Sequence, residues 1–202
     1  MAATGRTAHA EVQARPSSAR QRILAAADDL FYGEGIRAVS ADRVIAAAAV
    51  SKVTFYRHFP TKDDLVVAYL HGRADWERNG IESMRAAHPG DPEGAFTAIA
   101  QSMVDAGCTT EFRGCPHINA AAEYSDPDHP VREAVAEHRA WYTGVLGELL
   151  AELGIRDRGE TIEQLMMLRD GALVTSYLDR RHTLRATTLV GAWRAVLDAA
   201  QR

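Results

Sequence analysis

Two cysteines, Cys108 and Cys115, are all that the 202 residues contain. They are too few for a disulfide framework, and their spacing is not that of a zinc site. Long apolar runs are missing as well. The longest, Val44 to Val50, is seven residues, against the roughly 20 that a membrane span requires. The opening stretch MAATGRTAHAEVQARPSS has no apolar segment of the kind a secretion signal carries. Nowhere do apolar and polar residues alternate as in a half-buried strand. No HExxH pair and no nucleophile in a glycine-rich elbow occurs either. These absences predict a cytoplasmic protein of the all-α class, with no membrane contact, no metal and no cofactor, and they weigh against an enzyme.

What is present is enough apolar residue, 47%, to bury a real core, with an ordinary 25% charged. The net charge of −4 conceals an asymmetry. Residues 1–60 hold eight Lys/Arg against five Asp/Glu, and the remaining 142 hold fifteen against twenty-two. A basic head on an acidic body is the distribution expected where one end meets phosphate.

Residues 1–17 are small, polar and without periodicity, and are expected to form a flexible arm. Ser17 or Ser18 can cap a first helix whose apolar stripe is Ile23, Leu24, Ala27, Leu30 and Phe31. Gly33 and Gly35 are expected to end it. Ser40 caps a second, alanine-rich helix, with Asp42 in its first turn. The break falls at Ala49-Val50, where Val50 is expected to plug the core and Ala49 to keep a negative φ. Ser51 caps a third helix, stopped by Pro60. In it Phe55 and Phe59, four apart, should point inward. The opposite face presents Lys52, Val53, Thr54, Tyr56, Arg57 and His58. These groups suit guanine edges, thymine methyls and phosphate oxygens, as in the second helix of a helix-turn-helix. Ser40, Arg43 and Ser51 complete the expected DNA-facing set, with Lys62, at the start of the next helix, as a phosphate contact.

The stretch ILAAADDLFYGEGIRAVSADRVIAAAAVSKVTFYRHFPTKDDLVVAYL resembles the N-terminal domain of TetR-type (tetracycline-repressor family) transcriptional regulators, and VSKVTFYRHFPTKDDL carries most of the likeness. The sequence departs from the family's pattern at Ala49 and Val53, where glycine is usual or frequent. A weaker likeness to one branch of the family continues through GCP and NAAAE in residues 112–130. The resemblance implies a helix beside a ligand pocket that moves when the pocket fills. It also implies a homodimer formed through the last two helices, which suits reading of a palindromic operator.

Six further helices follow from periodicity and from Gly and Pro breaks: Thr61 to about Arg85, Glu93 to Ala106, a short one after Gly114-Pro116, Val131 to Leu153, Glu160 to Asp179, and Thr183 or Leu184 to about Ala199. That makes about nine, with residues 18–60 a helix-turn-helix head and 61–202 a ligand-binding and dimerisation body. Within the body, Phe96, Met103, Cys115, His117, Asn119, Glu123, Trp141, Tyr142, Met166, Arg169, Asp170 and Tyr177 are the candidate ligand contacts. Met84 and Met167 are further candidate walls. The expected protein is a DNA-binding regulator, a repressor released by an unidentified small molecule. The alternatives are a helical binding protein or enzyme whose head is inactive, and an architectural DNA binder without a ligand. Arg113 beside Cys115 also suggests a thiol switch.

Overall fold

The computed structural model describes residues 18–178 and 186–202, and among these it contains nine α-helices and no strand. They are α1 (Ala19–Glu34), α2 (Ala41–Ala47), α3 (Lys52–His58), α4 (Lys62–Ala87), α5 (Pro92–Gly107), α6 (Pro116–Glu123), α7 (Pro130–Glu152), α8 (Gly159–Leu178) and α9 (Ala186–Ala200). The expected arm of residues 1–17 and the expected start of the last helix at Thr183 or Leu184 lie outside the described residues. No helix among the described residues is long and apolar enough to cross a membrane.

Helix starts coincide with side chains able to satisfy the otherwise unpaired first N–H groups. Ser18 and Gln21 form a capping box at α1, as do Thr61 and Asp64 at α4. Ser40, Ser51 and Asp91 accept from the backbone at α2, α3 and α5. Prolines open α5, α6 and α7, where the ring's fixed φ costs no hydrogen bond. Gly35 leaves α1 at φ 97°. Gly33, expected to share that role, instead stays within the helix.

The apolar residues fall into two clusters. One joins Ile23, Ala27 and Phe31 of α1, Val44 and Ile45 of α2, and Phe55 and Phe59 to Leu65, Val66, Tyr69 and Leu70 of α4. It continues into Ala120 of α6 and Val131, Ala134 and Val135 of α7. The head is thus built on the first half of α4 and seated on α6 and α7. The second cluster lies among α4, α5, α7, α8 and α9. Leu189, Trp193 and Leu197, expected to face a second subunit, are buried in this chain, with Trp193 edge-on to Phe96 at 5.8 Å. Besides Val53 and Tyr56 of α3 and Trp76 of α4, the exposed large apolar residues among the described ones belong to α8. Met167, Val174 and Leu178 are exposed at i, i+7 and i+11, with Gly171 on the same stripe. On α9 the outward residues include small ones, Thr188, Gly191, Ala195 and Ala199.

The turn between α2 and α3 departs from expectation. Ala49 has φ 50° and is, among the described residues, the one non-glycine at positive φ. Its N–H donates to Ala46 O (3.2 Å) and that of Val50 to Ile45 O (3.3 Å), the pairing of a Schellman motif. The last turn of α7 repeats this pairing: Gly154 at φ 77° donates to Ala151 O, and Ile155 to Leu150 O. One motif therefore occurs twice, with glycine at the left-handed position once and alanine once. A Cβ there costs about 1 kcal/mol. Ala49→Gly is expected to raise stability by about that amount and Gly154→Ala to lower it comparably, less glycine's unfolded-state entropy. Urea titrations of the two variants check both signs.

Candidate DNA-reading face and body cavity

The cap of α3 sets its direction. Ser51 Oγ accepts from Thr54 N (3.1 Å) and lies 2.9 Å from Thr54 Oγ1, which fixes the first turn. Phe55 and Phe59 anchor the inner face, as expected from their spacing, and Arg20 stacks its guanidinium 5.3 Å from the Phe59 ring. Arg22 Nε donates to Ala48 O (3.3 Å), bracing the end of α2 from α1. Outward stand Ser51, Lys52, Val53, Tyr56 and Arg57, with Thr54 and His58 half-buried. Val53, at 79% exposure, is the most exposed large apolar residue of the chain's described part. The cations here are engaged: Lys52 pairs with Asp42 (2.8 Å), and Arg43 with both oxygens of Glu34 (2.7 Å each). These ion pairs raise the pKa of Lys52 and of Arg43, through the hydrogen bond to the carboxylate first and its charge second.

Lys62 does not stand out toward solvent as a phosphate contact would. Its Nζ donates to Ile36 O at 2.6 Å and sits 5.8 Å from the Phe31 ring, and burial lowers its pKa. The same peptide is held from its other side. Glu123, at the C-terminal end of α6, accepts from Ile36 N (3.0 Å) and Arg37 N (2.6 Å). Glu123 is therefore a tie between α6 and the α1–α2 connection and not part of a cavity wall. A second tie lies ahead of α6: Tyr32 OH donates to Gly114 O (3.0 Å) and accepts from Arg113 N (2.9 Å). Arg113 also donates to Gly33 O and to Tyr177 OH.

The body contains a cavity of about 1020 Å³ bounded by α1, α4, α5, the segment 109–116, α7 and α8. Of the expected contacts, Met103, Cys115, Tyr142 and Arg169 line it, together with the expected wall Met84. The others do not. Phe96 packs on Trp193, Met166 lies in the core, and Trp141 lies under the Arg78 guanidinium. Asn119 donates to Arg113 O (2.8 Å), Tyr177 bonds Arg113, and Met167 faces solvent. Asp170 bridges Arg139 and Arg169, and His117 is sealed behind α6. Sequence reasoning missed Asp28, Tyr32, Arg73, Trp76 and Glu77. A signal existed on α4, where Arg73 and Glu77, one turn apart, interrupt the apolar stripe that runs from Tyr69 to Ile81 and Met84.

Behind the cavity floor lies a buried charged group. Arg169, 2% exposed, donates to Glu77 (3.1 Å) and Asp170 (3.0 Å), and Glu77 also meets His138 Nε2 at 2.7 Å. His138 stacks flat on His117, ring centroids 3.7 Å apart. The His117 ring is buried, with the Leu70 backbone as its hydrogen-bonding neighbour. Burial raises the Glu77 pKa, but the hydrogen bond from His138 and the charge of Arg169 outweigh it, leaving about 2. Burial, and then the neighbouring His138, push His117 down to about 3. Burial pushes the Cys115 thiol up, and Arg113 is turned onto Gly33 and Tyr177, so the thiol-switch expectation finds no support. Among the described residues no group of three or more His, Cys, Asp or Glu is arranged to hold a metal ion.

A three-helix head with a capped, outward third helix, joined to a cavity-bearing helical body, defines a helix-turn-helix transcriptional regulator. Comparison with known proteins gives the family. Residues 23–69 match the model of bacterial regulatory proteins of the tetR family. The structure of SCO4454, a TetR-family transcriptional regulator from Streptomyces coelicolor, is 40% identical, with a TM-score of 0.84 over 91% of this chain and 96% of that one. The HTH-type transcriptional regulator LmrA of Bacillus subtilis is 28% identical over 136 residues, 67% of this chain and 72% of that protein. The multidrug binding protein EbrR, complexed with malachite green, is 25% identical, with a TM-score of 0.65 over 88% of this chain and 96% of that one. The chain belongs to the TetR family of DNA-binding transcriptional regulators.

The buried group gives an acid-stability prediction. Both pKa values are lower in the fold than in the unfolded chain, so the unfolded chain binds more protons as pH falls. The His117 contribution is complete above about pH 6.5 and lost toward pH 3, and that of Glu77 complete above 4.5 and lost toward pH 2. Replacing His117 by Phe keeps the stack on His138 and removes the first of these. Urea unfolding of His117→Phe between about pH 6 and pH 4 is expected to show a slope shallower by up to ~1.4 kcal/mol per pH unit.

Proposed function

We propose that this regulator is a homodimeric repressor that binds a palindromic operator and is released when a small molecule fills the body cavity. Residues 18–60 act as the reading head and 61–202 as the ligand-binding and dimerisation body, working in the cytoplasm. Ser40, Arg43, Ser51, Lys52, Val53, Thr54, Tyr56, Arg57 and His58 form the DNA face, with Lys52 and Arg43 exchanging Asp42 and Glu34 for phosphate. Lys62 holds the head's loop instead.

The observation that carries the reading is a shared wall. Tyr32, Gly33 and Gly114 line the cavity and also take part in the tie ahead of α6, and Cys115 and Pro116, which lead into that helix, line it too. The other end of that eight-residue helix carries Glu123, which holds Ile36 and Arg37. A molecule pressing on residues 114–116 therefore bears on the α1–α2 connection, and through it on α2 and α3. Linkage makes the effect mutual: if ligand disfavours the operator-bound geometry, operator weakens ligand binding equally. EbrR, a multidrug binding protein of related fold complexed with malachite green, supports a small-molecule ligand.

A ligand-free test uses Ser102, half-buried on the cavity wall. Ser102→Trp places an indole inside the cavity. In the full-length protein it is expected to weaken binding to the palindrome upstream of its own gene by about fivefold or more, the low end of allosteric coupling. Fluorescence anisotropy measures this, and unchanged affinity in a folded dimer would sink the release mechanism.

The dimer rests on the exposed stripe Met167, Gly171, Val174 and Leu178 of α8, set beside the small outward residues of α9. An apolar stripe facing a small-residue stripe permits close helix approach across a two-fold axis. Val174→Glu is expected to yield a monomer in sedimentation velocity and to abolish tight binding to the full palindrome. A dimer of unaltered strength would move the interface elsewhere.

A further inference from the structure

The charge around the cavity says what it takes; this step rests on the proposed role of the cavity as the ligand site. Its exposed lining, the mouth, includes Asp29 of α1, Glu111 in the segment after α5, and the Trp76 indole, which is 73% exposed. Neither Asp29 nor Glu111 forms an ion pair among the described residues. The two lining guanidiniums are already committed. Arg73 makes a two-pronged pair with Asp28 (2.5 and 2.8 Å), and Arg169 is held by Glu77 and Asp170. Arg113 does not line the cavity and is engaged with Gly33 O and Tyr177. Those neutral partners leave the Arg113 charge uncancelled, so the mouth sets two carboxylates against one nearby guanidinium and keeps a net negative charge.

The interior is apolar, its buried wall including Ile81, Ile99, Met103 and Leu173. The Tyr142 hydroxyl meets the Arg169 guanidinium and, at 4.0 Å, the Met103 sulfur. An anionic ligand would meet like charge at the mouth. To reach Arg169 it would have to strip away Glu77 and Asp170, leaving carboxylates unpaired at a buried position, which is strongly unfavourable. A small, hard ammonium would lose too much hydration on entering such walls. A large cation with spread charge avoids both penalties. Its apolar body fills the interior while its charge lies against Asp29, Glu111 and the face of Trp76.

We infer that the effector is a bulky organic cation of delocalised charge, selected by the pair of carboxylates, Asp29 and Glu111, at the cavity mouth. The size agrees, since about 1020 Å³ lies at the top of the range for small-molecule sites.

Rhodamine 6G and fluorescein share a xanthene body and carry opposite charge, which makes them the probes. Titrated by anisotropy into the full-length protein at low salt, rhodamine 6G is expected to bind tighter by on the order of tenfold. The double variant Asp29→Asn, Glu111→Gln, altered only at exposed positions, is expected to abolish most of that preference while leaving operator affinity without dye unchanged. Fluorescein binding as tightly as rhodamine 6G, a preference that survives in the double variant, or binding of neither dye would each overturn the cation assignment. The release mechanism is judged separately by Ser102→Trp. If that variant loses operator affinity while the dyes show no charge preference, release stands and the cation class falls. If the dyes discriminate by charge but neither rhodamine 6G nor Ser102→Trp alters operator binding, the class stands and release falls.

Discussion

One peptide unit, that of Ile36 with its neighbour Arg37, is gripped by two parts of the chain at once. Glu123 of α6 accepts from the N–H groups of both residues, and Lys62 of α4 donates a hydrogen bond to the Ile36 carbonyl. Charge-assisted bonds to backbone are about twice as strong as neutral ones. Here they join three elements distant in sequence. Gly35, at φ 97°, permits the grip, because it lets the chain leave α1 with two consecutive N–H groups facing one carboxylate. The head cannot shift against α6 without breaking these bonds or carrying α6 along. The apolar head–body contacts can slide; this grip, together with the Tyr32–Gly114 and Arg73–Asp28 bonds, sets register.

The buried charges behind the cavity do different work. A buried ion pair gains little over well-packed apolar side chains, because taking both charges out of water costs several kcal/mol apiece. Arg169 with Glu77, Asp170 and His138 is therefore poor value as mere stabilisation. It does fix the relative position of α4, α7 and α8, which supply Glu77, His138 and the Arg169–Asp170 pair respectively. Rigid walls on that side leave the segment 109–116 and α6 as the compliant side, which is the side tied to the head.

How much of this was legible beforehand depended on how local the signal was. Caps at Ser40, Ser51 and Thr61, prolines at helix starts and the Phe55/Phe59 spacing are decided by nearest neighbours, and the helices formed where those signals lay. The ligand wall was read less well. Phe96, Met166 and Trp141 are apolar on helices that have two buried faces, and periodicity alone does not say which face meets a void. Glu123 and Lys62 hold a backbone loop, a role the sequence does not signal, because a charged residue on a short helix or at a helix start looks the same whether it faces ligand, phosphate or a distant stretch of backbone. Ala49 was misread for a subtler reason: alanine favours helix, yet Ile45 O and Ala46 O need their 6→1 and 5→2 partners, and only a left-handed residue at 49 supplies them. Satisfying two carbonyls outweighed the strain on one Cβ.

On the proposed release mechanism, the electrostatics of the head make a small mechanical link enough for control. The reading helix brings Lys52 and Arg57, while Arg43 and Lys52 already hold carboxylates that must be surrendered before phosphate can take their place. Each exchange swaps one exposed ion pair for another, so its net gain is small and salt-dependent. A single head therefore binds DNA weakly, and tight binding on the proposed dimer requires both heads to sit in successive major grooves at once. Losing one head's fit then costs nearly the whole avidity gain. Under the proposed release mechanism the ligand need not disrupt any DNA contact directly; it need only favour a placement of α6, and hence of Ile36 and Arg37, in which the second head no longer meets its groove. A mildly basic head with internally paired cations is in this sense a requirement of the switch, since a strongly basic one would stay on DNA whatever the body did.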